Sequence, residues 1–351
     1  MRVCKKWKAL ATPFLYENLI IRSPRHLSNI YRVLQWSQTS GESSPLGHWT
    51  KRVDIALHLG QTSCYRDSFL WIADILSFLP NLEVVTFSVW YPHFGPRESL
   101  IQPILEALIR SSRDTLKHVH WFRDTVIPEI HDLRALIKGI PNLLSFTVPL
   151  VKPTTKDMLP DSEIVLASLT TLHINHQSQG ENEVPVFPPH LLVLPSLRRI
   201  SFTAPVFSMD CRWMKFLIKY GDQLERIQAD VCFVTEQFQD DMERVTTYCP
   251  NLKQLDIMME HWSYMPFPIP LPPMIEHLTF HSSSWQWRDY SPFFDHLNAT
   301  KLPKSLETIQ FPNKHNVVDL FGKHRRQFLK GTEHLRGQGI KFLDHVGKVL
   351  E

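Results

Sequence analysis

The chain has 351 residues, 43% of them apolar and 21% charged, a composition that supports a folded core and excludes wholesale disorder. Thirty-eight basic against 35 acidic side chains leave a formal charge of only +3, too small an excess for a general polyanion binder. Prolines (26) outnumber glycines (12), and so little glycine disfavours chemistry built on glycine-rich phosphate loops.

In chain order, the first element is a short amphipathic helix within residues 3–16. Val3, Trp7 and Leu10 share one stripe, and Pro13 is expected to stop the helix. The basic start (Arg2, Lys5, Lys6, Lys8) runs into an apolar stretch cut by Glu17 and Asn18, which does not make a signal peptide. Five cysteines (Cys4, Cys64, Cys211, Cys232, Cys249) are an odd number without C-x-x-C spacing, so free thiols in a reducing compartment, cytoplasm or nucleus, are expected.

A repeat follows. An apolar anchor, a second apolar residue three positions on and a third at five recur from Thr50-Val53-Ile55 to Leu306-Ile309-Phe311. The anchors are Thr50, Leu82, Leu116, Leu143, Leu169, Leu197, Leu224, Leu252, Ile275 and Leu306, spaced on average near 28 residues. This is the strand pattern of a leucine-rich repeat. Alternation along a strand sends the second, fourth and sixth residues after each anchor to the opposite face. Of those 30 positions 24 are polar, whereas of the 30 inward positions only Thr50 is polar. Amphipathic helices are expected over Asp67–Leu79, Glu98–Ser111, Pro128–Gly139, Met209–Tyr220 and Glu236–Tyr248. A recurring phrase, Pro80-Asn81-Leu82, Pro141-Asn142-Leu143, Pro195-Ser196-Leu197 and Pro250-Asn251-Leu252, reads as the stop of four helices before a strand. The Asn or Cys that usually stands eight residues after the anchor is absent except at Cys232, so no side-chain ladder is expected.

The fold class is therefore α/β: a leucine-rich-repeat-like solenoid with a parallel concave sheet and convex helices, about ten rungs. The expected parts are a helical segment at 1–22, the solenoid at 23–312 and a basic helical cap at 313–351 carrying Lys323-His324-Arg325-Arg326.

The string Val3-Cys4-Lys5-Lys6-Trp7, with Leu10 and Leu15 after it, resembles the C-terminal end of an F-box. Ser23-Pro24-Arg25-His26-Leu27 and Gly47-His48-Trp49-Thr50 extend the likeness to fungal F-box proteins with degenerate leucine-rich repeats. The resemblance implies a substrate-recognition subunit of a Skp–cullin–RING ubiquitin ligase. Val3, Cys4, Trp7, Leu10 and Leu15 would then belong to the surface that meets a Skp-type adaptor, and the repeats would hold a protein substrate. The leading proline-containing F-box helices do not occur in the sequence, which leaves two readings: a sequence that starts inside the motif, or a free-standing interaction scaffold that has lost adaptor binding. Val3, Trp7, Leu10 and Leu15 have a plainer reading as the cap over the first rung.

No phosphate loop, dinucleotide fingerprint, nucleophile elbow or H-E-x-x-H occurs, and the chain is expected to be no enzyme, with no cofactor, metal, nucleic acid or membrane partner. His118 and His120 share a strand face with His173 two rungs away, a backbone gap of about 10 Å that is too wide for one ion unless side chains converge. The candidate partner-binding residues are Arg199, Arg226, Gln228, Gln254, His118, His120 and Phe122. Arg199 and Arg226 fall on consecutive rungs, about 5 Å apart, where arginine forks suit a carboxylate or phosphate. Asp230 and Asp256 are the acids available to neutralise them. Trp262, Tyr264, Phe267, Trp285, Trp287 and Tyr290 are either binding anchors or rings folded over the end of the array.

Overall fold

The structure is a computed structural model and describes residues 4–40, 44–57, 65–89, 101–122, 128–148, 163–175, 192–203, 212–231, 237–259, 262, 269–282 and 290–351. The chain divides into two compact units, Met1–Asn175 with Asn182–Ser196, and His176–Glu181 with Leu197–Glu351. Each is a parallel sheet, with α-helices between most successive strands but none described from the strand Ser145–Val148 to the strand Leu192–Val193 or between the strands Gln254–Met259 and His277–Ser282.

In the first unit the sheet runs β1 (Asn18–Ile21), β2 (Arg52–Ile55), β3 (Val84–Phe87), β4 (His118–Trp121), β5 (Ser145–Val148) and β7 (Thr171–Asn175). A separate parallel pair joins β6 (Ile164–Val165) to β8 (Leu192–Val193). Helix α1 (Lys5–Tyr16) precedes β1, and α2 (Pro24–Thr39), α3 (Tyr65–Ser77), α4 (Gln102–Ser112) and α5 (Ile130–Gly139) pack side by side. In the second unit the strands are β9 (Arg199–Thr203), β10 (Arg226–Val231), β11 (Gln254–Met259), β12 (His277–Ser282), β13 (Thr308–Gln310) and β14 (Lys341–Leu343). Its helices are α6 (Arg212–Tyr220), α7 (Gln237–Tyr248), α8 (Ser291–Ala299), α9 (Lys314–Val318) and α10 (Arg325–Gly337).

Ten of these strands begin two residues after the ten anchors, as the spacing requires. The middle apolar residues pair rung to rung: Leu19, Val53, Val85, Val119, Phe146 and Leu172 in one unit, Ile200, Ile227, Leu255, Leu278, Ile309 and Phe342 in the other. Of the 30 inward positions 28 are buried; Ile174 and Ala229 are half-buried. Thr50, the polar anchor, is fully buried but donates its hydroxyl to the Tyr16 carbonyl at 2.8 Å, which removes the penalty of an unsatisfied group. At each buried inward Leu, Ile or Phe, truncation to alanine costs about 2–5 kcal/mol.

Several expectations need correction. Four strands stand outside the anchor series: β6 and β8 form their own pair, β1 follows the N-terminal helix directly, and β14 follows α10 within the stretch read as a helical cap. Gly339, at φ +87°, ends α10 and turns the chain into β14, a conformation a side chain resists. Pro13 does not stop α1, which passes through it to Tyr16. Tertiary bonds hold that end: the Glu17 carbonyl accepts from the backbone N–H groups of Lys51 and Arg52 at 2.9 and 3.1 Å. The phrase at Pro195 follows β8 and not a helix, so only three of the four phrases lie after helices.

A side-chain ladder also exists, displaced from its expected place. The residue just before the anchor donates to the carbonyl two residues before the preceding anchor. Asn81 reaches His48 O at 2.8 Å, Thr115 reaches Pro80 O at 3.1 Å and Asn142 reaches Asp114 O at 3.1 Å. In the second unit Asn251 reaches Asp222 O at 2.7 Å and Ser305 reaches Pro273 O at 2.8 Å. The asparagine of the Pro-Asn-Leu phrase thus stitches neighbouring rungs, while its proline shapes the turn.

Candidate functional site

Helix α1 is amphipathic in the reverse sense. Trp7, Leu10, Phe14 and Leu15 are 67, 56, 78 and 70% exposed, while Thr12, Pro13 and Tyr16 on the other side are half-buried. A helix turns 100° per residue, so positions 7, 10, 14 and 15 form one stripe, and that stripe faces water. These residues therefore do not cap the first rung. Cys4 stands at the helix N-cap, its sulfur accepting from the Trp7 N–H at 3.5 Å, and its thiol is exposed. Val3 lies outside the described residues. Phe14 was not among the candidates, although its spacing of four from Leu10 and seven from Trp7 carries the signal. Exposed Trp36 on α2 and Trp49 in the turn before β2 add apolar surface in the same unit.

On the outward face of the first unit's sheet the histidines converge more than their backbone spacing suggests. The rings of His118 and His120 stack 6.1 Å apart, and His120 meets His173 edge-on at 6.2 Å. His120 Nδ1 lies 3.4 Å from Thr147 Oγ1. Among the described residues, however, no group of His, Cys, Asp or Glu is arranged to hold a metal ion. Burial makes both His118 and His120 bind protons less readily than a free imidazole. Lys117 adds to this at His118 and is opposed by Glu83; His118 and Arg52 add to it at His120 and are opposed by Asp54. Arg52 is itself paired with Asp54 at 3.0 Å. Phe122, just past β4, is 58% exposed.

The other candidates stand on the second unit's sheet, so the predicted set does not form one site. Arg199 and Arg226 are register partners on β9 and β10, about 4.8 Å apart at the backbone. Like charges carried at neighbouring register positions repel, and a carboxylate within reach of either relieves it. Asp256 answers Arg226, with Oδ2 2.6 Å from Nε, and its carboxylate is only 7% exposed. Its other oxygen accepts from Gln254 Nε2 at 3.0 Å. Gln228 donates to the sulfur of Met258 at 3.0 Å. Asp230 stands four residues beyond Arg226, about 13 Å along the strand, and its side chain is not among those described. Among the described residues Arg199 has no ion pair or side-chain hydrogen bond. The middle outward row around these residues is shielded: Ser201, Asp256 and Thr279 are 6, 5 and 7% exposed.

Trp262 and Tyr290 are each 1% exposed and belong to the core. Trp262 meets Phe293 at 4.9 Å, edge to face, within a cluster that includes Phe280, Phe311 and Phe328. Tyr264, Phe267, Trp285 and Trp287 lie outside the described residues. Lys323, in the basic C-terminal string, pairs with Asp319 at 2.9 Å. No described helix is long and apolar enough to cross a membrane.

No protein-family model matches the sequence, and no curated protein matches it. Among solved structures the chain is similar to a chain of the Toll–Spatzle complex of Drosophila, with TM-score 0.43 and 11% identity over 85% of this chain. It spans 37% of that protein's length. A Bacteroides fragilis protein gives TM-score 0.37 and 11% identity over 92% of this chain and 70% of its own. The leucine-rich-repeat-like character of the chain stands on its own register and burial.

Proposed function

We propose that the chain is a non-catalytic repeat scaffold that holds a protein partner, and that α1 docks it, in F-box fashion, on a Skp-type adaptor of a cullin–RING ubiquitin ligase. One observation carries the reading: four large apolar side chains on one helix stripe, Trp7, Leu10, Phe14 and Leu15, stand in water while the opposite side meets the unit. Burying them is worth roughly 6–12 kcal/mol gross, comparable with the cost of association. The docking interface therefore has to extend beyond α1. Trp36 and Trp49 are exposed aromatics of the same unit available for that.

The test is calorimetric titration of the full chain with a Skp-type adaptor. Trp7→Ala with Phe14→Ala is expected to weaken binding by about a hundredfold or more, as for two hot-spot residues, without lowering the melting temperature, since neither ring is packed. Binding that survives the double substitution, or no binding by the unaltered chain, removes the ligase reading and leaves the free-standing scaffold.

A further inference from the structure

We infer that the outward sheet face around Arg199 and Arg226 binds a segment of a partner protein through one Glu or Asp carboxylate. The inference rests on the reading of the repeats as a partner-holding surface, and it is independent of the adaptor.

The two arginines are not equivalent. Arg226 is held by the buried Asp256 carboxylate through Nε, and Gln254 occupies that carboxylate's second oxygen. Asp256 is thereby spent, and the guanidinium it holds is fixed in direction, with its terminal N–H groups not engaged by any described residue. Arg199, register partner of Arg226 on the neighbouring strand, is exposed and has its whole fork unused among the described residues. Two positive charges and one negative leave a local excess of one. A single carboxylate balances that excess, and one planar fork accommodates it with two parallel hydrogen bonds. A doubly charged phosphate would overshoot the balance beside the buried Asp256.

The preceding residue, Arg198, is spoken for, 3.7 Å from Glu225. Arg199 is thus distinguished from its neighbours by its vacancy and not merely by its charge.

Fluorescence anisotropy on the full chain tests this, with a fluorescein-labelled Gly–Ser peptide carrying a single Glu and its single-Gln and single-phosphoserine counterparts as probes. The Glu peptide is expected to bind at least tenfold tighter than the Gln peptide. Arg199→Ala is expected to cost roughly ten- to a hundredfold, the usual worth of a charge-assisted pair, and Arg199→Lys to recover only part of it because the fork is lost. Lys301→Ala with Lys304→Ala, which removes two exposed charges elsewhere in the unit, is expected to leave binding within twofold. Equal binding of Glu and Gln peptides, retention by Arg199→Ala, an equal loss in the lysine control, or binding of the phosphoserine peptide alone would each overturn the assignment. The adaptor titration is untouched by any of these outcomes, so the two readings fail separately.

Discussion

Gly221→Ala probes how tightly the rungs interlock. Gly221 opens the short turn between α6 and the anchor Leu224, and it lies three residues before that anchor. A Cβ there would stand 2.1 Å from the Tyr248 carbonyl oxygen, 2.8 Å from the carbonyl carbon and 3.1 Å from Cys249 Sγ. The first two atoms are backbone at the end of α7, so no side-chain rotation relieves the contact. Gly47 repeats the arrangement in the first unit, three residues before Thr50, with 2.1 Å to the Phe78 carbonyl oxygen. A methyl needs more than 1 Å of extra room, and the two rungs must separate to provide it. Overpacking of this kind costs about 1–3 kcal/mol, and a backbone obstacle places Gly221→Ala at the upper end. For a unit of this size each kcal/mol moves the midpoint by about 2–4 °C, which predicts a fall of about 6–12 °C. Gly337→Ala is the control: it lies in α10 with nothing within 4 Å of the added carbon, so alanine's helix preference should stabilise by up to about 1 kcal/mol. Calorimetric melts of both variants decide. A Gly221→Ala midpoint within a degree or two of the unaltered chain refutes the interlock.

Other outcomes follow from the same packing. Breaking the Arg226–Asp256 pair is expected to be asymmetric. Arg226→Met strands a carboxylate that is 7% exposed, at about 2–3 kcal/mol, whereas Asp256→Asn leaves an arginine still 39% exposed that water can serve, at about 1 kcal/mol; urea unfolding of both reads the difference. His118 and His120 hold protons less well folded than unfolded, so below the ordinary histidine value of 6.5 the unfolded chain takes up protons first. Stability of the first unit should therefore fall as the pH drops through that value, and His118→Gln with His120→Gln should flatten the fall in urea titrations between pH 7 and 5. Burial, with Asp222 adding to it, pushes the Cys249 thiol up to about 12. Residue-resolved alkylation at pH 8 should label exposed Cys4 at once and Cys249 only on unfolding. Tyr290→Phe should cost about 1–2 kcal/mol, because the buried hydroxyl donates to Asp319 Oδ2 at 2.9 Å; thermal melts check it.

The rungs were legible because a strand's two faces make opposite demands. Burial selects apolar residues at zero, three and five while water tolerates polar ones between them, so anchors as dissimilar as Thr50 and Leu252 still declare the register. The ladder was harder to see, because Asn81, Thr115, Asn142, Asn251 and Ser305 do the same work with three residue types, and the spacing that identifies it is between rungs. Strand β1 was hidden by its alternation being read as the tail of a helix, and β14 by lying beyond a basic helical stretch. Both have their places settled by pairing with β2 and β13, contacts distant in sequence.

For the candidate surfaces the division is sharper. The stripe of Trp7, Leu10, Phe14 and Leu15 is written in the helical spacing, but whether it faces the unit or the water depends on where the rest of the unit packs. The pairing of Arg199 with Arg226 follows from the register, and the register from the apolar pattern. Which of the two is neutralised does not, since Asp256 reaches Arg226 diagonally across strands and Asp230 stands about 13 Å along its own. Sequence alone determines the period, the faces and the order of the rungs, because those depend on local alternation and burial. Only the tertiary structure decides which apolar stripe is left uncovered and which charge is left unpaired, because both depend on atoms brought together from residues some thirty positions apart.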